Sequence, residues 1–297
     1  MLSFRRITLQ DKQIIDMKIK PLNIRACEYS FFSVYFWGKI WSSQIAFHND
    51  FMFIKVDDGR QTRFLFPCGD GDVREAVAQL AEYCSCEKIP LCLYSVTDEQ
   101  KSVLESAAEG RFSFAEKRDY FDYLYRSEDL ISLAGKKYHK KRGHLNKFYS
   151  DDWQFQKINE GNISDCFHIL EKWKMQNEQP FSESLNREIQ VLADVLSTFF
   201  SLDFFGGILY SHGKPVAFSI GEAQTDDMCV VHFEKALLTA DGAYAAVNQQ
   251  FASEFCKSFA YINREDDAGV PGLRKAKLSY YPAEMVVKYQ ACYEYPK

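Results

Sequence analysis

The stretch FFGGILYSHGKPVAFSIGEAQTDDMCVVHFEKA, residues 204–236, decides the fold. It contains three short apolar runs, and the first two are separated by Ser211–Pro215, which has the composition of a tight turn. The pattern predicts an antiparallel hairpin with a third strand beside it.

The segments on either side of this meander extend the pattern into a layered α/β arrangement. A strand is predicted at residues 153–159, followed by two helices, the first beginning near Asn162, in which apolar residues recur at helical spacing. After the meander, a helix is predicted to open near Asp241 and Gly242, and the run FAYIN at 259–263 reads as a further strand. Helices therefore flank a sheet in this half of the chain.

The first half shows the same order of elements, although no repeat is visible at the level of residues. A strand and a helix are followed by antiparallel strands, and then by helix, strand, helix and strand. Two copies of one mixed α/β (α+β) architecture account for this order. We predict one domain at residues 1–125, a basic connecting segment at 126–149, and a second domain at 150–297 that carries the active site.

Composition excludes several classes of protein. The chain has 297 residues, 46% of them hydrophobic, which is ample material for two domain cores. A net charge of -5 argues against a protein that coats nucleic acid through bulk positive charge. No apolar run approaches the roughly 20 residues of a membrane helix, and the N-terminal residues lack the apolar core of a signal peptide. We expect a cytoplasmic protein.

The nine cysteines and six histidines are scattered along the chain. Cys84 and Cys86 form a close pair without a second pair, which does not fit a zinc site. We therefore expect reduced, mostly buried thiols and no metal site. The histidines do not fall into a recognisable nucleophile motif, so the sequence does not support a hydrolase triad.

The predicted connecting segment contains the run KKYHKKR at residues 136–142. Two interpretations stay open: a solvated helix face, or a patch that binds the phosphates of a nucleic acid or a phosphorylated cofactor. Interleaved Tyr138, His139 and His144 could stack on bases. The residues of the predicted phosphate patch are Lys136, Lys137, Lys140, Lys141 and Arg142.

A second polar stretch, NREDDAGVPGLRKAKLSYYP, occupies residues 263–282 directly after the apolar strand FAYIN. Acids and amides stand at one end of it and bases at the other. Two interpretations are again possible. The stretch forms the wall of a catalytic cleft, or its charges pair internally and pin a long loop to the sheet.

The order of elements in each half resembles that of acetyltransferase-like (GNAT) domains, and two such domains in tandem resemble the Fem-type peptidyltransferases and the C-terminal domain of phosphatidylglycerol lysyltransferases. The last of these end in a pattern resembling G-L-R-x-x-K-x-x-F-x-P, followed by a basic residue and Tyr. The residues that match this pattern are Gly272, Leu273, Arg274, Lys277, Tyr280 (in place of Phe), Pro282, Lys288 and Tyr289. In residues 119–148 and 261–282 the chain resembles still more a bacterial family of uncharacterised proteins grouped with that domain.

This resemblance implies aminoacyl transfer from a charged tRNA to a small-molecule, peptide or lipid acceptor. One alternative is an acetyl-CoA-dependent N-acetyltransferase, and another is a non-catalytic RNA- or metabolite-binding protein on the same fold. If the protein is an enzyme of either kind, the aminoacyl-tRNA or acyl-CoA is a donor substrate, so no tightly bound cofactor is expected.

Acyl transfer requires cations that fix phosphate, a donor for the oxyanion, and a carboxylate that binds the amino group or accepts a proton. The predicted catalytic residues are Glu234, Glu265, Asp266 and Lys277. The predicted donor-binding residues are Asn263, Arg264, Arg274, Lys275, Tyr280, Asp241, Gly242, Tyr244 and Asn248.

The helix opening near Asp241 bears on the nature of the donor. Acetyltransferases usually cradle the pyrophosphate of coenzyme A on the backbone amides at this position. Residues 238–248, LTADGAYAAVN, lack the usual Q/R-x-x-G-x-G/A pattern. The sequence therefore favours a donor other than coenzyme A.

Overall fold

The computed structural model describes residues 2–177 and 181–295, which form two compact units. The first unit comprises the chain up to Asp122, then Asp266–Pro271 and the residues from Met285 onward. The second unit comprises Tyr123–Glu265 and Gly272–Glu284. The chain therefore leaves and re-enters each unit.

The first unit is built on a seven-stranded sheet in the order β1-β2-β3-β4-β5-β14-β6. Neighbouring strands are antiparallel except β4 and β5, so the sheet is mixed. Its strands are β1 (Arg5–Arg6), β2 (Gln44–His48), β3 (Phe51–Asp57), β4 (Thr62–Phe64), β5 (Cys92–Val96), β6 (Phe112–Glu116) and β14 (Tyr289–Tyr293). Its helices are α1 (Lys12–Ile19), α2 (Gly38–Ile40), α3 (Val73–Glu87) and α4 (Asp98–Ala107).

The second sheet also has seven strands, in the order β13-β7-β12-β11-β10-β9-β8, with β11 and β12 parallel. The strands are β7 (Asp122–Arg126), β8 (Trp153–Lys157), β9 (Phe205–Ser211), β10 (Lys214–Thr225), β11 (Met228–Ala236), β12 (Tyr261–Asn263) and β13 (Glu284–Val286). The helices are α5 (Ser127–Ser132), α6 (His139–Tyr149), α7 (Ile163–Gln176), α8 (Glu183–Thr198), α9 (Ala243–Phe255) and α10 (Pro271–Leu278).

The predicted fold class is confirmed, because each unit contains a mixed sheet flanked by helices. The hairpin predicted from residues 204–236 is β9 and β10, and β11 pairs with β10 as expected. Local signals position the helices as well. The side chain of Asp72 accepts a hydrogen bond from the backbone of Arg74 at the start of α3, and Thr97 forms a capping box with Gln100 at the start of α4.

The units differ from the predicted boundaries in two respects. The segment predicted as a connector, residues 126–149, belongs to the second unit and forms α5 and α6 there. The last strand, β14, lies between β5 and β6 in the first sheet, although its residues were assigned to the second domain. Pairing between strands so far apart in sequence leaves no local pattern from which it could be predicted.

One expectation about the cysteines is wrong, because Cys92 and Cys292 form a disulfide. The two residues face each other on the antiparallel strands β5 and β14, with a Cα–Cα distance of 4.2 Å and a sequence separation of 200 residues. The other seven cysteines are free, and all of them except Cys86 are buried. Among the described residues, no helix is both long enough and apolar enough to cross a membrane.

Candidate functional site

The candidate site lies in the second unit, where the pairing of the parallel strands β11 and β12 ends. β11 and β12 pair only from Met228 opposite Tyr261 to Val230 opposite Asn263, and β11 then continues to Ala236. His232 and Glu234 lie on this part of β11, which still pairs with β10, and the β10–β11 register is irregular at His232, between the paired residues Val231 and Phe233. The two residues that follow β12 supply their partners.

The first partner is Arg264, which forms an ion pair with Glu234 at 3.1 Å between Nη2 and Oε1. The second carboxylate oxygen of Glu234 accepts a hydrogen bond of 3.1 Å from the side-chain amide of Asn248 on α9. The side chains of Arg264 and Glu234 are only 13% and 12% exposed. Two of the predicted donor-binding residues therefore hold a predicted catalytic carboxylate in a fixed orientation.

The ion pair leaves hydrogen-bonding capacity unused. Among the described residues, Nη1 of Arg264 and the side-chain oxygen of Asn248 are buried and have no hydrogen-bond partner. Buried polar groups are usually satisfied because leaving one unpaired costs about 1–3 kcal/mol. A ligand that accepts from Arg264 and donates to Asn248 would satisfy both groups.

Aromatic rings and a lysine surround the guanidinium of Arg264. Its central carbon lies 4.9 Å from the ring centroid of Tyr280 and 5.7 Å from that of Tyr125. The ammonium of Lys141, which α6 carries, lies 3.7 Å from the centroid of Tyr280. Burial and the positive charge of Arg264 lower the pKa of Lys141 to about 8, although Glu234 acts in the opposite direction.

The second partner is Glu265, which contacts His232 at 2.7 Å, while Glu222 on β10 contacts the other ring nitrogen at 3.2 Å. The His232 side chain is fully buried. Burial alone lowers the pKa of His232, but the two carboxylates raise it to about 9, so the ring is protonated at neutral pH. The carboxylate of Glu265 therefore forms an ion pair with the protonated ring of His232. It also has a left-handed backbone conformation, with φ of 56°.

Lys277, the fourth predicted catalytic residue, lies on α10 and is 8% exposed. Its ammonium donates to the backbone carbonyl of Arg264, and the backbone carbonyl of Lys277 accepts a 2.8 Å hydrogen bond from the hydroxyl of Tyr125. These contacts connect α10 to the segment that carries Arg264. They indicate that Lys277 positions this segment. Of the predicted neighbours on α10, Arg274 is half-buried and Lys275 is exposed.

Asp266 belongs to the first unit, whereas the other three predicted catalytic residues belong to the second. Its carboxylate accepts a hydrogen bond of 2.8 Å from the backbone of Ala268. Asn263, the predicted donor-binding residue at the end of β12, is fully buried and accepts from the backbone of Glu265 at 2.6 Å. Asn263 therefore shapes the turn that delivers Arg264 and Glu265.

The remaining predicted donor-binding residues lie at the start of α9, which is covered by α6. Gly242 has φ of +83°, and a Cβ added to it would come within 2.3 Å of the carbonyl oxygen of His144. Asp241 forms an ion pair with Lys147 of α6. The hydroxyl of Tyr244 accepts from the indole of Trp173 at 3.0 Å. The helix end that would cradle a pyrophosphate therefore carries an acid and is in close contact with a neighbouring backbone.

The predicted phosphate patch divides into exposed and inward-facing parts. Lys136, Lys137 and Lys140 are exposed, and Lys137 forms an ion pair of 3.2 Å with Asp129. Arg142 donates to the backbone carbonyls of Leu133 and Gly135. Of this set, Lys141 is the residue that contacts Tyr280 beside Arg264.

A separate cluster in the first unit contains the groups that could ligate a metal. Ligand atoms of Cys27, Glu28 and Asp122 lie within 4.8 Å of one another. The ammonium of Lys288 lies 2.7 Å from Asp122 and 2.6 Å from Glu28, so both acids already contact a cation of the chain itself. Lys288 is the basic residue that follows the family-like pattern. Its place in this cluster is a structural one.

Sequence reasoning missed His232, Glu222 and Tyr125 as parts of the site. His232 lies at an irregularity in the pairing of β10 with β11, and the sequence does not mark that irregularity. Glu222 and Tyr125 lie on strands that reach the site only through the pairing of the sheet. No local pattern marks them.

Comparisons with known proteins agree with this fold. The chain is 36% identical to a conserved protein of unknown function from Bacteroides thetaiotaomicron VPI-5482, over 99% of this chain and 100% of that one, with a TM-score of 0.94. It shares the fold of FemX (TM-score 0.64, 8% identity, 97% and 96% covered). It also resembles a tandem GNAT protein from the clavulanic acid biosynthesis pathway (TM-score 0.50, 7% identity, both chains fully covered). A search of curated proteins finds no match.

These likenesses confirm the tandem GNAT-like fold. A family model described as "Phosphatidylglycerol lysyltransferase, C-terminal" matches residues 19–292, which is nearly the whole chain. The protein therefore belongs to the phosphatidylglycerol lysyltransferase C-terminal family of GNAT-fold transferases.

Proposed function

We propose that the protein transfers an aminoacyl group from a charged tRNA to an acceptor amine or hydroxyl. The observation that carries the proposal is the buried cluster of Glu234, Arg264 and Asn248 where β11 and β12 part. Membership in the lysyltransferase family supports the reaction class. The cluster supplies the charges that such a donor requires.

In this proposal Glu234 binds the α-amino group of the aminoacyl donor. Arg264 and Asn248 fix both carboxylate oxygens, so the charge faces the donor in one orientation. The acceptor then attacks the ester carbonyl of the donor that is held in this orientation. The ester bond to the tRNA hydroxyl then breaks, and that hydroxyl takes up a proton while the acceptor loses one.

The start of α9 supports tRNA over coenzyme A as the donor. In the second unit this helix end lies against the backbone of α6 at Gly242, and Asp241 beside it is held in an ion pair by Lys147 of α6. The sequence pattern expected for a pyrophosphate cradle is also absent there. Both observations disfavour the acetyltransferase alternative.

The test is to incubate the protein with a mixture of charged tRNAs and, in parallel, with acetyl-CoA, and to identify transferred groups by mass spectrometry. We expect aminoacyl products from the tRNA reaction only. Glu234→Gln should lower the rate at least about 100-fold, while the exposed control Glu160→Gln should leave it unchanged.

Two results would contradict the proposal. Acetyl transfer without aminoacyl transfer would assign the site to coenzyme A chemistry. The absence of any product, with tRNA still bound, would indicate a non-catalytic binding protein.

A further inference from the structure

We propose that Lys141 and Arg264, which both contact the ring of Tyr280, form an anion subsite that takes a phosphate group. The Lys141 ammonium lies 3.7 Å and the Arg264 guanidinium carbon 4.9 Å from the ring centroid. Both cations therefore lie close to one aromatic ring. α6 and the turn after β12 supply them independently.

The charges of this cluster do not balance. Two cations share one carboxylate, Glu234, whose oxygens are already engaged by Arg264 and Asn248. Among the described residues, the Lys141 ammonium has no hydrogen bond or ion pair, and Nη1 of Arg264 is buried without a hydrogen-bond acceptor. An anion between them would supply the missing acceptor and neutralise the excess positive charge.

Tyr280 itself contributes no negative charge, because burial raises the pKa of its hydroxyl to about 12. Burial likewise raises the pKa of Tyr125, which also faces Arg264. The charged groups that act on Lys141 are therefore Arg264 and Glu234. A neutral aromatic floor with two cations suits a tetrahedral oxyanion, which can accept hydrogen bonds from both.

The pKa of Lys141, lowered to about 8, makes the subsite sensitive to pH. An anion binds the protonated ammonium more tightly than the neutral amine, so binding must raise the pKa of Lys141. The affinity for the anion should therefore be constant below about pH 7 and fall as the pH rises above 8. Arginine at this position would stay charged and remove that dependence.

The identification of the anion as phosphate rests on the proposed function, since both candidate donors carry phosphate. The existence of an anion subsite does not depend on it. The phosphate belongs either to RNA or to coenzyme A, and the two sources share one chemistry. Binding of a simple anion requires no transfer reaction, so it tests the subsite separately from the activity.

The experiment measures sulfate binding to the full chain by isothermal titration at constant ionic strength, because sulfate is tetrahedral and does not titrate between pH 6 and 10. Lys141→Met should weaken binding about tenfold. Lys141→Arg should retain it, and so should Lys140→Met, the exposed neighbour on the same helix. Wild-type affinity should fall by about tenfold in total as the pH rises above 8, toward that of Lys141→Met, and that of Lys141→Arg should stay constant.

Several results would overturn the proposal. These are unchanged sulfate binding in Lys141→Met, an equal loss in Lys140→Met, or a loss in Lys141→Arg as large as in Lys141→Met. An equal loss in Lys141→Arg and Lys141→Met would indicate that Lys141 acts as a proton acceptor and does not bind the anion. Melting curves of each variant show whether a loss reflects the subsite or the fold.

Competition then distinguishes the sources of phosphate. Displacement of sulfate by deacylated tRNA supports an RNA phosphate in the subsite. Displacement by coenzyme A alone supports the subsite and contradicts the proposed tRNA donor. If neither displaces sulfate, the phosphate assignment is wrong. If sulfate binds as expected but no aminoacyl transfer occurs, the proposed function fails and the subsite stands.

Discussion

Replacing His232 with asparagine should remove a part of the stability of the second unit that depends on pH. The buried imidazole contacts Glu265 at 2.7 Å and Glu222 at 3.2 Å, and these two carboxylates raise its pKa from the ordinary 6.5 to about 9 despite burial. The folded state therefore binds the proton more tightly than the unfolded chain does. Protonation of His232 stabilises the fold.

The size of the effect follows from the pKa difference. Each pKa unit corresponds to about 1.4 kcal/mol, so a rise from 6.5 to about 9 contributes about 3 kcal/mol to the free energy of unfolding. Because the folded pKa is the higher one, this contribution is complete below pH 6.5. It declines as the pH rises and is lost above pH 9. Asparagine does not titrate, so His232→Asn lacks this contribution to the free energy of unfolding at every pH.

The assay is guanidinium unfolding of the wild type and His232→Asn at pH 6, 8 and 10. The stability difference between the two proteins should be about 3 kcal/mol larger at pH 6 than at pH 10. Taking the difference cancels titrating groups that do not contact His232, including Lys141, whose lowered pKa changes stability in the opposite sense. His212→Asn, at an exposed histidine, is the matched control. A difference between wild type and His232→Asn that does not change with pH would refute this account of His232.

Three further substitutions test the structure around the site and the first sheet. Lys277→Met should destabilise the protein by about 1–3 kcal/mol in thermal melting, because the backbone carbonyl of Arg264 loses its donor. The control Lys275→Met, at an exposed residue, should cost less than about 0.5 kcal/mol. Equal effects of the two substitutions would contradict the positioning role of Lys277. Gly242→Ala should destabilise the protein by at least about 1 kcal/mol more than Gly213→Ala. Both glycines have positive φ, but only a Cβ at residue 242 would meet a backbone oxygen, that of His144. Equal melting temperatures of the two variants would exclude this close contact. Cys292→Ser should lower the free energy of unfolding by about 2–4 kcal/mol, and reductant should lower that of the wild type by the same amount. If neither the substitution nor the reductant changes the stability, the protein lacks the disulfide.

The sequence was sufficient to predict the fold class, because the information for it is local. Short apolar runs and the turn between the first two of them specify β9, β10 and β11, and helical spacing of apolar residues specifies α7 and α9. Caps such as Asp72 mark helix starts within one residue. Each of these signals lies within a window shorter than about 20 residues.

The domain boundaries and the disulfide depend on contacts that no such window contains. β14 returns to the first sheet and lies between β5 and β6, which come almost two hundred residues earlier in the chain. The pairing of Cys92 with Cys292 is a consequence of this register. An odd number of cysteines favoured free thiols, and only the placement of β14 could have shown otherwise.

The candidate site was predictable in its residue types and partly in its members. Glu234 and Arg264 were both predicted, and the structure joins them. Their roles are harder to read from sequence, because Glu265 is held by His232 and Lys277 by a backbone carbonyl. A charged residue in a polar stretch can be a ligand, a counter-ion or a support, and the partner decides which.

The basic run at residues 136–142 shows most clearly why the partner matters. Its five cations are similar in sequence, and bulk charge would give them one common role. Their chemistry differs once α6 forms, because consecutive residues of a helix point in different directions, and Lys140 is exposed whereas Lys141 is half-buried. Lys140 remains solvated, whereas Lys141 lies against Tyr280 with a pKa lowered to about 8 by burial and by Arg264. Replacing the whole run at once would mix these roles, so the single substitutions at 140 and 141 are the informative ones.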